Sequence, residues 1–268
     1  SWLYEAASRW LFKLGDHFIV HTAGNRRQMQ ASYGVSGSRI SVIPHGGLDF
    51  HVKNYCNRDS IRQELGIDPG QKVILLFGAL RPYKGVGTAI EAFSKVLPEI
   101  PDSLLVVAGK LWLEWEPYQR RIEELGIADA VKTFLEYIPS GDVYRYFEAA
   151  DMVILPYHHF DSQSGIGATA VSFRKPMIVS DVGGLPDLVK NRKYAVPPKD
   201  AAALARSMIE CLQDQSRLAA MAADAETVAA EISRSSIAQK TCAIYDNLLK
   251  AKEKRSHPGT PDAHKPTE

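Results

Sequence analysis

Two cations three residues apart, Arg81 and Lys84, stand in Gly78-Ala79-Leu80-Arg81-Pro82-Tyr83-Lys84-Gly85, directly after the apolar run VILLF at 73–77. Fixed cations beside glycines, ahead of a helix, suit phosphate oxygens, because helix-start N–H groups carry partial positive charge and cations add charge-assisted bonds. A second loop, residues 157–164, follows the apolar run MVILP at 152–156. There Ser164 can cap a helix with its hydroxyl, and Gly165 leaves the neighbouring N–H groups unhindered. A third stretch, Asp181-Val182-Gly183-Gly184-Leu185-Pro186-Asp187, follows MIVS at 177–180. Its paired glycines allow a tight turn, and Pro186 suits a first helical position. Each stretch alone reads as solvated loop, whereas three of them at one sheet edge read as a seat for an anion.

Other chemistries fit less well. Gly165-Ile166-Gly167-Ala168-Thr169-Ala170 matches the GxGxxA dinucleotide fingerprint, with Asp181 as a ribose ligand. That fingerprint needs a tight turn directly off its strand, and here the eight residues 157–164 intervene. His158, His159 and Asp161 could begin a metal site but lack a further ligand. His17 and His21 have the i, i+4 spacing of a helical zinc pair, yet in a strand such positions lie about 13 Å apart. Cys56, Cys211 and Cys242 form no CxxC pair, which speaks against a zinc cluster or a disulfide framework and for a reducing, cytoplasmic setting. Cys211 lies beside an apolar helical stripe and reads as core.

These loops need a scaffold, and the sequence describes one. Short apolar strands at 73–77, 104–108, 131–135, 152–156 and 177–180 alternate with helices, the pattern of a parallel sheet wrapped by helices. Ile90, Phe93 and Leu97 share a helical face before Pro98; Asp200 caps a helix in which Leu204, Met208 and Leu212 repeat. Before this region, 16–22 and 40–44 read as strands, and a short helix from about Asn25 to Tyr33 ends at Gly34. Trp2, Leu3, Ala7, Trp10 and Leu14 recur at helical spacing from a first residue that is Ser1, so the chain is expected to be a fragment opening inside a helix that lacks a partner. A last helix is expected over about 236–250, followed by a Pro-rich, charged tail without apolar period, expected to be disordered.

Lysine plus arginine number 32 against 31 acids among 268 residues, so the net charge of +1 argues against nucleic acid as a partner. No apolar run approaches the roughly 18 residues that span a bilayer.

Across about Asp16 to Leu249 the sequence resembles the retaining, nucleotide-sugar-dependent transferases of glycosyltransferase family 4. Ile43-Pro44-His45-Gly46-Gly47-Leu48-Asp49 resembles their interdomain turn, and Phe77-Gly78 through Lys84-Gly85 their donor-phosphate loop. Tyr137-Ile138-Pro139 resembles the stretch whose backbone reads the base. Asp151 to Pro156, Gln163-Ser164-Gly165, Lys175-Pro176 and Gly183 to Asp187 complete the order.

The resemblance implies a GT-B architecture: an α/β, Rossmann-like parallel sheet with helices on both faces as the C-terminal donor-binding domain, plus a remnant of the N-terminal domain. The boundaries it suggests are 1–43 for the remnant, 44–235 for the nucleotide-sugar domain, 236–251 for a helix packing back toward the N-terminal domain, and 252–268 for the tail. It implies Arg81, Lys84 and Asp161 as catalytic groups. Gly78, Tyr137, Ile138, Gln163, Ser164, Gly165, Thr169, Gly183 and Gly184 are implied as donor-binding, and His45, Gly46 and Gly47 as the interdomain turn. Lys84 carries over by position, whereas the family's arginine falls at Ala79, so Arg81 must substitute. The family's two glutamates, eight residues apart, fall at Asp161 and Thr169, and a threonine cannot accept two ribose hydroxyls as a carboxylate does.

The expected reaction is transfer of a hexose from a UDP- or GDP-sugar to a glycan or lipid-linked acceptor with retention, without metal or other cofactor. The partners are the donor, the acceptor and the N-terminal domain, with a peripheral contact at the inner membrane face left open. The alternatives are a nucleotide-binding module without catalysis and a sugar-nucleotide epimerase of the same architecture. The fragment itself is expected to be inactive and to bind nucleotide weakly.

Overall fold

A computed structural model describes residues 2–47 and 57–256 of the chain. Helix α1 (Trp2–Leu14) leads to strand β1 (Phe18–Val20), helix α2 (Ala23–Tyr33) and strand β2 (Ile40–Val42), and β1 and β2 pair in parallel. Thr22 caps α2 by accepting from the Asn25 amide, and Gly34 ends it in the left-handed conformation, φ 69°. Phe12 of α1 packs on Phe18 and Tyr33 with centroid distances of 5.4 and 4.6 Å, while Trp10, Leu11 and Leu14 are exposed.

The main body is a six-stranded parallel sheet. Its strands are β3 (Lys72–Phe77), β4 (Ser103–Ala108), β5 (Val131–Phe134), β6 (Met152–Leu155), β7 (Met177–Ser180) and β8 (Ala195–Val196), in spatial order β5-β4-β3-β6-β7-β8. The central strands are buried on both faces, which is why KVILLF, SLLVVA and MVIL read as continuous apolar runs rather than alternating ones. Period-two geometry then divides each run: Val73, Leu75 and Phe77 enter one core, Ile74 and Leu76 the other.

Helices α3 (Arg58–Glu64), α6 (Val143–Ala149) and α7 (Gly165–Ser172) cover the first face; α4 (Val86–Val96), α5 (Glu116–Glu124) and α8 (Ala201–Leu212) cover the second. Helix α9 (Gln215–Glu231) reaches both, through Val228 on one side and Met221 on the other. Cys211 is buried in the second core, with its thiol pushed up to about 11 by burial. The architecture is the α/β arrangement expected, a parallel sheet between two helical layers.

Helix α10 (Arg234–Ser256) follows and is longer than the apolar pattern suggests. Its start packs near the turn after β2: the Gly47 amide donates to the Ile232 carbonyl at 2.7 Å, and Gly46 lies against Ile237. Residues 257–268, Cys56, and Leu48 and Asp49 of the turn motif lie outside the described residues. Among those described, no helix is long and apolar enough to cross a membrane.

At the amino end of the sheet, Asp151 ties three elements together. Its carboxylate accepts from Arg58 at 2.5 Å, from Arg62 at 2.8 Å and from the Val73 amide at 2.7 Å. Arg62 is 4 % exposed and also donates to the carbonyls of Ala149, Pro69 and Gln71, so its buried charge is fully bonded. Lys175 sits at this end too, donating to the Ala150 carbonyl at 3.0 Å, with its pKa pushed down to about 8 by burial. The Lys175-Pro176 pair therefore braces the sheet far from the loops at its carboxyl edge.

Candidate functional site

Strand order decides where a ligand can enter. From β3 the chain proceeds outward to β4 and β5, then crosses back to place β6 on the other side of β3. The carboxyl ends of β3 and β6 thus flank the point where direction reverses, and at such points the following loops diverge and leave a crevice. The loop after β3 carries Gly78 to Gly85, and the loop after β6 carries Tyr157 to Ser164.

In the first of these loops Pro82, Tyr83 and Lys84 form a single 3-10 turn, and Gly85 in the left-handed region, φ 72°, turns the chain into α4. A side chain at Gly85 would collide with the Pro156 carbonyl, so the two loops can approach this closely only with glycine there. The turn buries Lys84, 5 % exposed, with its ammonium 2.6 Å from the Tyr157 hydroxyl and 4.5 Å from the centre of that ring. Among the described residues no carboxylate lies within 4 Å of it. Burial first, and then the positive charge of Arg81, push its pKa down to about 8.

Across the crevice Ser164 caps α7, its hydroxyl accepting from the Gly167 amide at 3.2 Å, and the same oxygen lies 3.3 Å from the Tyr157 hydroxyl. Gly165 opens the helix. Gly78 completes the cluster: a Cβ there would lie 3.4 Å from Lys84 Nζ and 2.9 Å from Ile166. Gly109, after β4, crosses directly against the Gly78 backbone. Lys84, Ser164, Gly165 and Gly78 are thus brought together.

The third loop closes one side. The Gly184 amide donates to the Ser162 carbonyl at 3.0 Å, and Gly183, φ 54°, lies so close to the Phe160 carbonyl that no side chain fits. Gln163 is buried and accepts from the His45 amide, which joins this loop to the turn after β2. Asn25 of α2 donates to the Asp161 carbonyl at 2.6 Å, and Thr22 packs on Gly184. The small β1–β2 unit therefore touches the rim of the crevice through Thr22, Asn25 and His45.

Several residues lie otherwise than the sequence suggests. Arg81 is exposed, and its guanidinium lies 4.7 Å above the Trp112 ring, with Lys110 5.5 Å from the same ring. Its charge reaches Lys84 through space rather than by contact with a shared partner. Thr169 is 2 % exposed and its hydroxyl donates back to the Gly165 carbonyl at 2.9 Å, a bond within α7. Asp161 is exposed at the rim; Tyr137 is 67 % exposed, and Ile138 packs its side chain on the core, leaving backbone as what that stretch can offer a ligand. His158 is committed to Thr88, 2.9 Å from Nε2 to Oγ1, and its pKa is lowered by burial, then by Lys199 and His159. Of the helical-spaced pair, His17 bonds Ser41 and His21 bonds the Ile43 carbonyl.

Sequence reasoning passed over Tyr157, Asn25 and Gly109. Tyr157 is 1 % exposed and packs edge-on against Tyr83 and Phe160 at 5.6 and 5.5 Å. Burial raises its pKa, so the phenol stays protonated. Its only signal was position, since it is the first residue after a buried strand.

The family described as "Glycosyl transferases group 1" matches residues 57–228. The D-inositol 3-phosphate glycosyltransferase of Nocardia farcinica is 28 % identical over 253 residues, covering 91 % of this chain and 55 % of that protein. The protein of the same name from Rhodococcus erythropolis is 30 % identical over 184 residues, 66 % of this chain and 40 % of its own length. The chain thus spans about half the length, or less, of these curated relatives. Among solved structures, sucrose-phosphate synthase from Thermosynechococcus elongatus superposes with TM-score 0.77 at 21 % identity, covering 94 % of this chain and 63 % of that one. Anabaena HepE, solved with UDP and glucose, gives TM-score 0.77 at 20 % identity, covering 92 % and 68 %.

Proposed function

Because this chain belongs to the group 1 glycosyl transferases, we propose that it is the donor-binding half of an enzyme that moves a hexose from a nucleotide-sugar to a glycan or lipid-linked acceptor with retention of configuration. The observation that carries the reading is Lys84: a buried ammonium that has no carboxylate partner among the described residues and is linked through the Tyr157 hydroxyl to the cap of α7 across the switch point of a parallel sheet. A buried cation is costly unless an anion completes it, and two phosphates are the anion this place suits. The relatives named glycosyltransferases, and the UDP with which HepE, of the same fold, was solved, support a nucleoside diphosphate as the ligand.

Departure of a nucleoside diphosphate from the sugar builds negative charge on the leaving oxygens. Lys84 and the first N–H groups of α7 are fixed before the reaction and need no rearrangement to meet that charge. Arg81 adds long-range positive potential, and on this reading the exposed Asp161 supplies the carboxylate that meets the sugar. The Gly183–Gly184 turn and Gln163 fix the loop from which Asp161 projects. The chain matches about half the length of its curated relatives, and on this reading the acceptor is presented by a region of the kind that lies outside the matched half, so that residues 1–268 by themselves bind nucleotide weakly and transfer no sugar.

Thermal unfolding in the presence of UDP, GDP and ADP tests the reading, since a ligand held by the folded state alone raises the melting temperature. A selective rise with UDP or GDP, absent in Lys84→Ala, is expected. No rise with any of the three, or an equal rise in Lys84→Ala, contradicts it.

A further inference from the structure

The Lys84 ammonium has no acceptor capacity, so in its 2.6 Å bond to Tyr157 the phenol oxygen must accept. Tyr157 keeps one proton, and the partner within reach of it is Ser164 Oγ at 3.3 Å. Ser164 Oγ thereby accepts from Tyr157 and from the Gly167 amide, which leaves its own proton to be donated outward. In this arrangement every proton of the relay has an acceptor.

We propose that Tyr157 is a positioning residue for diphosphate binding: its hydroxyl links the cation of one loop to the helix cap of the other and orients both toward acceptor-only oxygens. This rests on the donor-binding reading above. A carboxylate in the place of Tyr157 would also hold Lys84 but would cancel its charge and compete with phosphate. A neutral phenol holds the ammonium and leaves the charge available. The ring is fixed for this task, 1 % exposed between Tyr83 and Phe160. The other titratable groups around Lys84 are accounted for. Arg81 and Tyr83 share its loop, His158 is bonded to Thr88, His159 lies on the Tyr83 ring 5.5 Å away, and Asp161 is exposed at the rim; the first turn of α7 adds no charged side chain.

The test titrates Lys84 itself in the chain labelled with 13C at lysine Cε, its signal assigned by loss in Lys84→Met. Tyr157→Phe keeps the ring and removes the acceptor, so the Lys84 midpoint should fall by about one pH unit or more, a tenfold change in proton affinity. Ser164→Ala should move it the same way by less, since a phenol without its own acceptor accepts more weakly. An unchanged midpoint in whichever of these variants folds overturns the proposal; a merely structural role would lower the melting temperature without moving it. Calorimetric titration with UDP and GDP separates the two levels. Binding to the unmutated chain that weakens at least tenfold in Tyr157→Phe supports both. A shifted midpoint with neither nucleotide bound by the unmutated chain keeps the relay and refutes the diphosphate, and binding with an unshifted midpoint does the reverse.

Discussion

Replacing Lys84 with methionine should make the protein more stable while destroying its proposed ligand site. Methionine keeps the length and apolar stem of the side chain and removes the buried charge. The Lys84 pKa falls from 10.5 to about 8 on folding, chiefly through burial. At about 1.4 kcal/mol per pH unit, the charged form is penalised by up to about 3 kcal/mol near neutrality. Between pH 8 and 10.5 the unfolded chain binds more protons at this position than the folded one, so stability rises with pH there. From pH 7 to pH 9 the gain assignable to Lys84 is about 1 kcal/mol. Lys175, also pushed down to about 8, contributes a similar rise to both proteins, so the difference between them isolates Lys84. Urea unfolding at pH 7 and pH 9 measures it. Lys84→Met should be the more stable protein at pH 7, by up to about 3 kcal/mol, and the gap should narrow by about 1 kcal/mol at pH 9. Equal stabilities, or a gap independent of pH, would refute the claim that an uncompensated cation is stored at the crevice.

The affinity for UDP or GDP should decline above about pH 8, by up to about tenfold per unit, as Lys84 loses its proton, and Lys84→Ala should flatten that limb in calorimetric titrations. Gly85→Ala should cost about 2 kcal/mol or more of stability, because its φ of 72° and the Pro156 carbonyl leave no room for a methyl, and the melting temperature should fall accordingly. Asp151→Asn, which leaves the buried Arg62 without its anion, should cost about 3 kcal/mol in urea unfolding yet leave nucleotide affinity unchanged, since the cluster lies at the opposite end of the sheet.

The central strands were legible because burial on both faces forces apolar runs, and VILLF, LLVVA and MVIL show that constraint directly. Their order was not legible. No residue of β3 or β6 announces that these two strands pair, yet that pairing sets the loops of Lys84 and Ser164 opposite each other. Strand β8 escaped notice because two residues carry no period, and α10 extends past its apolar positions through helix-favouring lysine, glutamate and alanine. In the crevice, glycines, cations and the serine cap spoke through residue type. Tyr157 did not, because a tyrosine after a strand reads as core until its hydroxyl is seen between two loops. Thr169 shows the limit of residue type in another way: its position suggests a ligand, and only the structure shows that its hydroxyl proton is donated to the Gly165 carbonyl of its own helix.

A crystal structure of the chain soaked with UDP, and in parallel with GDP, addresses the diphosphate seat most directly. Phosphate oxygens should lie about 2.7–3.2 Å from Lys84 Nζ and from Ser164 Oγ or the first amides of α7. A nucleotide bound elsewhere, or one whose phosphates leave Lys84 and the α7 N-terminus untouched, would contradict the account.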